Sequence, residues 1–210
     1  MTEPLGDEQV ERLRACVAGG GVAVFPTDTV YGVCCDPDDT AAARRLYGLK
    51  GRPAARPAAV MFFALEHALQ ALGDLSPFER GALGALLPGP VTVLLENRSS
   101  RFLAACRSDP ATLGVRVPWL PHTLHALCSI AEPLMQSSAN ISGGADARTL
   151  EEVPLSLREG ADVVLDGGAL PGTPSTVVDL RDYEASGSWH VLREGALAAE
   201  AVRELLRDAS

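Results

Sequence analysis

The sequence lacks several features, and each absence argues against a class of protein. No apolar run approaches the roughly 18 residues of a membrane-spanning helix, so we expect no transmembrane segment. The first residues, MTEPLGDEQ, show no basic region followed by an apolar one, so we expect no secretory signal. Cations are not in excess, because 18 Lys and Arg stand against 27 Asp and Glu, for a net charge of −9. Non-specific nucleic-acid binding usually requires a basic surface, so this composition argues against it.

Paired cysteines and metal-binding clusters are also missing. Five cysteines are an odd number, and Cys34 is adjacent to Cys35, which favours reduced thiols, here as buried small side chains, in a cytoplasmic protein. His122 and His125 are three residues apart, but no Cys or acidic residue nearby completes a metal site. We therefore interpret both histidines as surface or core-edge residues and predict no metal held by protein side chains.

The elements that the pattern predicts alternate between helix and strand. With 210 residues, 47% of them apolar, the chain is long enough for one substantial core, so we expect a single domain over residues 1–210. Ser76-Pro77-Phe78-Glu79 is typical of a helix start with a capping box. Periodicity and turn residues predict helices at 8–18, 40–49, from 77, 121–131 and 196–207, the last with Val202, Leu205 and Leu206 facing inward. They predict strands at 22–26, 58–64, 91–95, 113–117, 133–137, 162–165, 175–180 and 189–193, and mobile loops at 142–152 and 167–174.

The most informative motif is PTDTVYG at residues 26–32. Pro26 ends the predicted strand, because proline has no N–H to donate to a sheet. Three hydroxyl side chains and the carboxylate of Asp28 follow within five residues. A strand that opens into dense polar groups is typical of ligand sites in α/β proteins. Taken alone, the motif is equally consistent with a turn whose hydroxyls cap backbone groups.

A second cluster, LKGRP at residues 49–53, concentrates cations in an acidic chain. Lys50 and Arg52 flank Gly51, and Arg56 follows. Cations at a helix C-terminus complement the helix dipole, which is one interpretation. The other is an anion clamp, with arginine as a fork for phosphate or carboxylate and lysine as a point charge. Gly51 and Pro53 favour the clamp, because both shape a loop rather than extend a helix.

Further motifs follow in a fixed order along the chain. They are PGPVT (88–92), GVRVP (114–118), SSANISGG (137–144), STVVDL (175–180) and VLREGAL (191–197). Arg116 lies in the middle of a predicted strand, where a charge is costly unless it meets a partner or ligand. With these motifs in view, the chain resembles the YrdC-like family of threonylcarbamoyl-AMP synthases over about residues 8–197.

The resemblance implies a fold and an activity. The fold is an α/β domain with a twisted mixed parallel and antiparallel sheet, helices around it and a concave active-site face. The reaction joins L-threonine, bicarbonate or CO2, and ATP into threonylcarbamoyl-AMP and pyrophosphate. The product passes to a separate transferase that makes threonylcarbamoyladenosine in tRNA. Mg2+ carried with ATP is the implied cofactor. Such a reaction needs orientation and charge neutralisation, so the absence of a Ser-His-Asp or Cys-His set is expected.

Matching the motifs position by position implies the site residues. Thr29 and Arg116 match threonine-contacting positions, with Arg116 on the substrate carboxylate. ATP-side positions are matched by Lys50, Arg52, Arg56, Thr112, Ser138, Asn140 and Arg193.

The chain also departs from the family pattern. Arg56 stands where many relatives have Asn or Lys, and Met61 where many have a His that helps to hold threonine. Asp146 stands where a Ser often contacts ATP, and a carboxylate there would repel phosphate unless a metal intervenes. Glu194 replaces a proline near the end of the domain and is expected to alter only a turn.

Two alternative functions remain open from the sequence. YrdC-like domains have been viewed as RNA-binding modules, and Arg44, Arg45, Lys50, Arg52 and Arg56 would form a local basic patch. Related carbamoyltransferases use a carbamoyl-adenylate with a different acceptor, but they normally carry additional domains. Salt-dependent tRNA binding without ATP turnover would favour the RNA module, and threonine-dependent pyrophosphate release would favour the synthase.

Overall fold

A computed structural model describes residues 3–51 and 57–208. Within these residues, nine strands form one sheet around which the helices pack. The strands are β1 (Ala23–Phe25), β2 (Gly32–Cys35), β3 (Ala59–Met61), β4 (Val91–Glu96), β5 (Thr112–Arg116), β6 (Leu134–Ser138), β7 (Val163–Val164), β8 (Thr176–Asp179) and β9 (His190–Arg193). The α-helices are α1 (Asp7–Ala18), α2 (Thr40–Leu49), α3 (Leu65–Ala71), α4 (Pro77–Leu86), α5 (Leu103–Cys106), α6 (Leu155–Gly160), α7 (Tyr183–Ser186) and α8 (Ala199–Asp208).

The sheet is mixed, as predicted. Its order is β7-β1-β2-β6-β3-β5-β4-β8-β9. The pairs β1–β7, β3–β5 and β4–β8 are parallel, and the remaining neighbours are antiparallel. The predicted α/β fold with a mixed sheet is therefore confirmed.

Local sequence signals placed the longer elements correctly. On α1, Val10, Leu13 and Val17 form the buried stripe that the periodicity predicts. At the start of α4, Ser76 accepts from the backbone of Glu79 while the Glu79 side chain accepts from the backbone of Ser76. This reciprocal pair is the predicted capping box, and it satisfies two backbone donors that the first helical turn leaves free.

The predicted helix at 121–131 is instead a 3-10 helix over His122–Ser129. Its backbone bonds run from residue i+3 to i, as from Leu124 to Pro121. The buried residues Leu124, Leu127 and Ile130 are spaced by three, which matches the three residues per turn of this helix type.

The C-terminal helix starts later than predicted. The backbone N–H groups of Ala196 and Leu197 donate to Pro174 and to the Thr176 hydroxyl, so this segment is bonded beside β8 and is not helical. Within α8, Val202 and Leu206 are buried as predicted, whereas Leu205 is 38% exposed and the prediction that it faces inward is wrong. One stripe of the helix is too narrow to bury two adjacent leucines fully.

The sequence patterns missed β2 and the short helices α3, α5, α6 and α7. The residues of β2, Gly32–Cys35, are fully buried between β1 and β6, and Cys34 and Cys35 are the buried small side chains that were expected. The segments 142–152 and 167–174 contain no helix or strand, as predicted. Backbone bonds tie them to the PTDTVYG segment, from Tyr31 to Ala147 and from Gly172 to Thr29, so an interior residue of each loop is held there.

Candidate active site

A cavity of about 420 Å3 opens on one face of the sheet, between β6 and β9. Residues that pair across the strands point to the same face, and this register places Ala59, Gly114 and Leu94 in one row across β3, β5 and β4. Thr92, Val177 and Arg193 continue the next row across β4, β8 and β9. The polar residues of the wall are Thr92, Asp109, Thr112, Arg116, Gln136, Ser137, Ser138, Asp146, Ser175, Arg181 and Arg193.

Small residues make the centre of this face hollow. Gly114 lies in the middle of β5, and a Cβ there would lie 3.4 Å from Leu94 Cδ2 and 3.5 Å from the Ala59 Cα. These are ordinary van der Waals contacts, so a Cβ at this position would not clash. A glycine inside a strand is unfavourable for the strand itself and is typical of a site that a ligand approaches closely.

Arg116 and Asp28 form a buried ion pair at one side of the cavity. Arg116 Nη2 donates to Asp28 Oδ1, and it also lies 2.5 Å from the Thr29 hydroxyl oxygen. The second carboxylate oxygen of Asp28 accepts from the backbone N–H of Trp119 at 3.1 Å. Both charged side chains are at most 4% exposed. An ion pair therefore joins the PTDTVYG loop to the end of β5, and a hydrogen bond from a backbone N–H joins it to the residues that follow β5.

The guanidinium of Arg116 retains an unused donor. Among the residues that the structure describes, its Nε is buried and has no hydrogen-bond partner. Burial lowers the pKa of Arg116, whereas the charge and hydrogen bond of Asp28 act to raise it. A buried donor without a partner is unfavourable, and Arg116 is one of the residues that line the cavity.

The other hydroxyls of PTDTVYG stabilise the loop. The Thr27 hydroxyl donates to the Val30 carbonyl oxygen at 2.7 Å and accepts from the Thr29 backbone at 3.2 Å. The Tyr31 hydroxyl lies 3.0 Å from the carboxylate of Asp166, and burial is the main cause of its raised pKa. The turn interpretation therefore holds for Thr27, whose hydroxyl bonds to backbone groups within the loop. Asp28 and Thr29 contact Arg116, and the ligand-site interpretation stays a prediction.

Lys50 is buried and braces the Ser138-Ala139-Asn140 segment. Its Nζ donates to the carbonyl oxygen of Ser138, and to the backbone and side-chain oxygens of Asn140 at 2.9 Å each. The Ser138 hydroxyl donates to Asn140 Oδ1 at 2.9 Å, and Asn140 Nδ2 donates to the Gly144 carbonyl at 2.7 Å. Lys50 thus positions the loop after β6, and the polar atoms of Asn140 are bonded within the protein.

The other predicted ATP-side residues divide into two groups. Thr112, Ser138 and Arg193 line the cavity. Arg193 is held by the Ser175 carbonyl oxygen, which accepts from its Nη2 at 2.7 Å and from its Nε at 3.2 Å. Arg52 and Arg56 lie outside the described residues, so their predicted role in an anion clamp stays a prediction.

Several wall residues were missed by the motif comparison. Arg181 donates to the Thr112 hydroxyl at 3.1 Å, and Thr92 shares a hydrogen bond of 2.9 Å with Ser175. Asp28 is not a wall residue, but it holds Arg116, and its carboxylate within PTDTVYG was the available signal. Arg181 follows the STVVDL motif directly, but nothing in its local sequence separates it from an ordinary surface cation.

Comparison with known proteins gives the family. The Sua5/YciO/YrdC family model, described as telomere recombination, matches residues 15–195. The chain belongs to this family. The resemblance that the ordered motifs predict is therefore confirmed.

Curated relatives and a solved structure match over most of the chain. The threonylcarbamoyl-AMP synthase of Chromohalobacter salexigens is 33% identical over 182 residues, which cover 84% of this chain and 97% of that protein. The human protein of the same name is 34% identical over 209 residues, covering 94% of this chain and 71% of the relative. The crystal structure of E. coli YciO superposes with a TM-score of 0.78 at 26% identity, and 95% of each chain is covered.

The structure locates two of the residues that depart from the family pattern, Met61 and Asp146. Met61 pairs with Arg116 across β3 and β5, so it shares the face of the sheet that carries the cavity, but it is fully buried and is not a wall residue. Asp146 does line the cavity, and its carboxylate accepts from Asn140 Nδ2 at 3.3 Å. The acidic substitution therefore faces the ligand space, whereas the apolar one is buried in the core on the same face of the sheet.

Three other expectations from the sequence concern metal-binding clusters, reduced cysteines and membrane-spanning helices. Residues 3–51 and 57–208 contain no group of three or more His, Cys, Asp or Glu suited to hold a metal ion. His122 and His125 are exposed, and all five cysteines are free thiols. In the same part of the chain, no helix is long and apolar enough to cross a membrane.

Proposed function

We propose that this protein is a threonylcarbamoyl-AMP synthase. The observation that carries the proposal is the cavity wall, where a buried arginine with an unsatisfied Nε stands beside the segments that match the nucleotide motifs of the family. Relatives of that name at 33% and 34% identity over most of the chain support it. ATP, L-threonine and bicarbonate or CO2 are then the substrates.

The proposed reaction has two steps, formation of a carbamate and its transfer to the α-phosphate of ATP. The neutral amine nitrogen of threonine forms a bond to the carbon of CO2 and releases one proton, which gives a carbamate. With bicarbonate as the carbon source, that proton leaves together with the departing hydroxide as one water molecule. An oxygen of the carbamate then attacks the α-phosphorus of ATP, the new oxygen–phosphorus bond forms, and the bond to the β-phosphate breaks to release pyrophosphate. The protein has to align two anions and offset their charge, which orientation and fixed hydrogen-bond donors achieve.

In this proposal Arg116 binds the threonine carboxylate. Its Nη2 is already held by Asp28 and Thr29, so the guanidinium is oriented before substrate arrives. Its Nε supplies the free donor, and an arginine–carboxylate contact is charge-assisted. Thr29 acts by holding this arginine.

On the nucleotide side, Ser138, Thr112 and Arg193 offer two hydroxyls and a cation to ATP. Lys50 and Asn140 contribute by fixing the backbone of the Ser138 loop. Arg52 and Arg56 remain proposed phosphate contacts, because two further cations would offset the charge of the triphosphate.

Mg2+ carried with ATP fits this wall. The carboxylate of Asp146 lines the cavity, and carboxylate and hydroxyl oxygens are ligands that Mg2+ accepts while it keeps several waters and phosphate oxygens. Asp146 would be the residue that holds the ion against the phosphates, and the ion would neutralise part of their charge. With the ion bound, a carboxylate in place of the usual serine would not repel ATP.

The structure weakens the alternative of an RNA-binding module. Arg45 of the expected basic patch is paired with Asp162 at 2.5 Å, and Lys50 is buried. Arg44 is exposed, while the remaining members of the patch lie outside the described residues. A different acceptor for the carbamoyl-adenylate stays an alternative, and the amino-acid panel below distinguishes it. The proposal also implies a cytoplasmic enzyme that delivers its adenylate to a separate tRNA transferase.

The decisive experiment measures pyrophosphate release from ATP with bicarbonate across a panel of amino acids, with no RNA added. Threonine should stimulate release. Serine should stimulate release less than threonine does. The loss in transition-state binding should be roughly 1–3 kcal/mol at most, because serine lacks the methyl group that an apolar corner would hold. If another amino acid stimulates release more than threonine does, that amino acid is the preferred carbamoyl acceptor. No release with any amino acid, together with tight tRNA binding at physiological salt, would reject the synthase in favour of the RNA module.

A further inference from the structure

Three residues form one end of the cavity. The family motifs account for only one of them, Thr112, and not for the group. Asp109 precedes β5, Thr112 begins it, and Arg181 follows β8. All three line the cavity. The end of the cavity that they form is called the Asp109 wall below.

Arg181 is held in one orientation within the Asp109 wall. Its Nε and Nη2 donate to the two carboxylate oxygens of Asp179 at 2.9 and 2.6 Å. Its Nη1 donates to the Thr112 hydroxyl oxygen at 3.1 Å. A hydroxyl that accepts one bond still has its own hydrogen to donate, so Thr112 can donate to a ligand. The hydrogen bonds that Arg181 donates to Asp179, and more weakly the charge of Asp109, raise the pKa of Arg181.

The charges of this wall suit a base better than a phosphate chain. Asp109 is negative and the charge of Arg181 is offset by Asp179, so this wall offers a triphosphate no net positive charge. The Ser138 loop, which suits the phosphates, lies two strands away from Thr112 in the order β6-β3-β5, or roughly 10 Å at the usual strand spacing. A nucleotide that lies across the sheet with its phosphates at Ser138 therefore brings its uncharged base towards the Asp109 wall.

We propose that the Asp109 wall recognises the adenine ring of ATP. The Asp109 carboxylate accepts a hydrogen bond from the 6-amino group, and Arg181 and Thr112 present donors to a neighbouring ring nitrogen. The edge of adenine places an amino donor beside ring acceptors, which matches an acceptor next to donors on the protein. This inference rests on the proposed function, because it takes ATP as the nucleotide.

The test compares ATP with purine riboside triphosphate, which differs from ATP only by the missing 6-amino group. Calorimetric titration of the wild-type chain should show ATP binding about tenfold tighter, the usual size of one such hydrogen bond. In Asp109→Ala this ratio should fall to about one. Asp182→Ala is the matched control, since Asp182 is exposed and outside the cavity wall, and it should keep the wild-type ratio. Asp109→Ser serves the same comparison if the alanine variant does not fold.

A second pair of variants tests Arg181. Arg181→Gln should weaken ATP binding about tenfold and leave the KM for threonine unchanged, whereas Arg203→Gln, on the exposed side of α8, should change neither. Equal binding of both nucleotides by the wild type, or an unchanged ratio in folded Asp109→Ala, would overturn the contact to the amino group. Unchanged ATP binding in folded Arg181→Gln would overturn the role of Arg181. Since binding is measured without threonine, a wild type that releases no pyrophosphate would reject the synthase function and still leave the base contact decided by these ratios.

Discussion

Arg116 and Asp28, 88 residues apart in the chain, form an ion pair in which both side chains are almost completely buried. The pair joins the PTDTVYG loop to the end of β5. A buried pair of this kind contributes little net stability in itself, but removing one partner leaves an uncompensated buried charge. The pair therefore makes the loop and the strand interdependent, and it fixes the orientation of a guanidinium that the substrate is proposed to use.

The first prediction concerns that dependence. Asp28→Asn should lower the free energy of unfolding by about 3–5 kcal/mol, because Arg116 keeps its charge in a buried site without a counter-ion. Urea denaturation measures the change. Glu11→Gln, which affects an exposed ion pair with Arg14, should change stability by roughly 1 kcal/mol or less. If the two variants are equally stable, the buried pair is not a constraint on the fold.

The second prediction separates charge from geometry at Arg116. Arg116→Lys keeps the cation but removes Nε and the planar fork, so the KM for threonine should rise more than the KM for ATP. Steady-state kinetics with each substrate varied in turn gives both constants. Arg203→Lys is the matched control at an exposed position. A variant that loses stability while both constants stay at their wild-type values would make Arg116 a purely structural residue.

The third prediction concerns Lys50 as a brace. Lys50→Met removes the donors that hold the Ser138 and Asn140 oxygens and should cost roughly 1.5–3 kcal/mol for each charged hydrogen bond that is not replaced. Thermal unfolding should report the loss, and the KM for ATP should rise because the Ser138 loop is no longer fixed. A stable Lys50→Met variant with weakened ATP binding would instead favour direct contact between Lys50 and phosphate.

The fourth prediction uses the hollow centre of the sheet face. Gly114→Val places a side chain into the cavity, and its Cβ makes only ordinary contacts with Leu94 and Ala59. We expect folding to be retained, since valine is favourable in strands, and we expect ATP binding to be weakened. Val115→Ala, on the opposite face of β5, is the converse control, because it should lower stability and leave nucleotide affinity unchanged. Wild-type ATP affinity in folded Gly114→Val would show that the nucleotide does not occupy this part of the cavity.

The sequence by itself was sufficient for the family, the mixed α/β fold and most of the longer elements, because their signals are local. Val10, Leu13 and Val17 repeat at helical spacing, and Ser76 and Glu79 cap a helix within four residues. Ordered motifs also identified Thr29, Thr112, Arg116, Ser138 and Arg193, which the fold brings to one cavity or its edge. The short strand β2 was missed, since its four residues gain their stability from burial between β1 and β6 and not from a pattern of their own.

Only the tertiary structure decided how each charge is used. In the sequence, Lys50 and Arg116 are distinguished by the motifs that contain them and Arg181 by nothing local, and none of the three shows which groups it contacts. In the fold Lys50 is buried against loop oxygens, Arg116 is paired with Asp28 and keeps a free Nε, and Arg181 is held by Asp179 at the cavity wall. The partners of Lys50 and Arg116 lie 87 to 90 residues away in the chain, so only strand order and register bring them together. The role of a charged side chain depends on which groups replace its water, and that is a property of the packed chain.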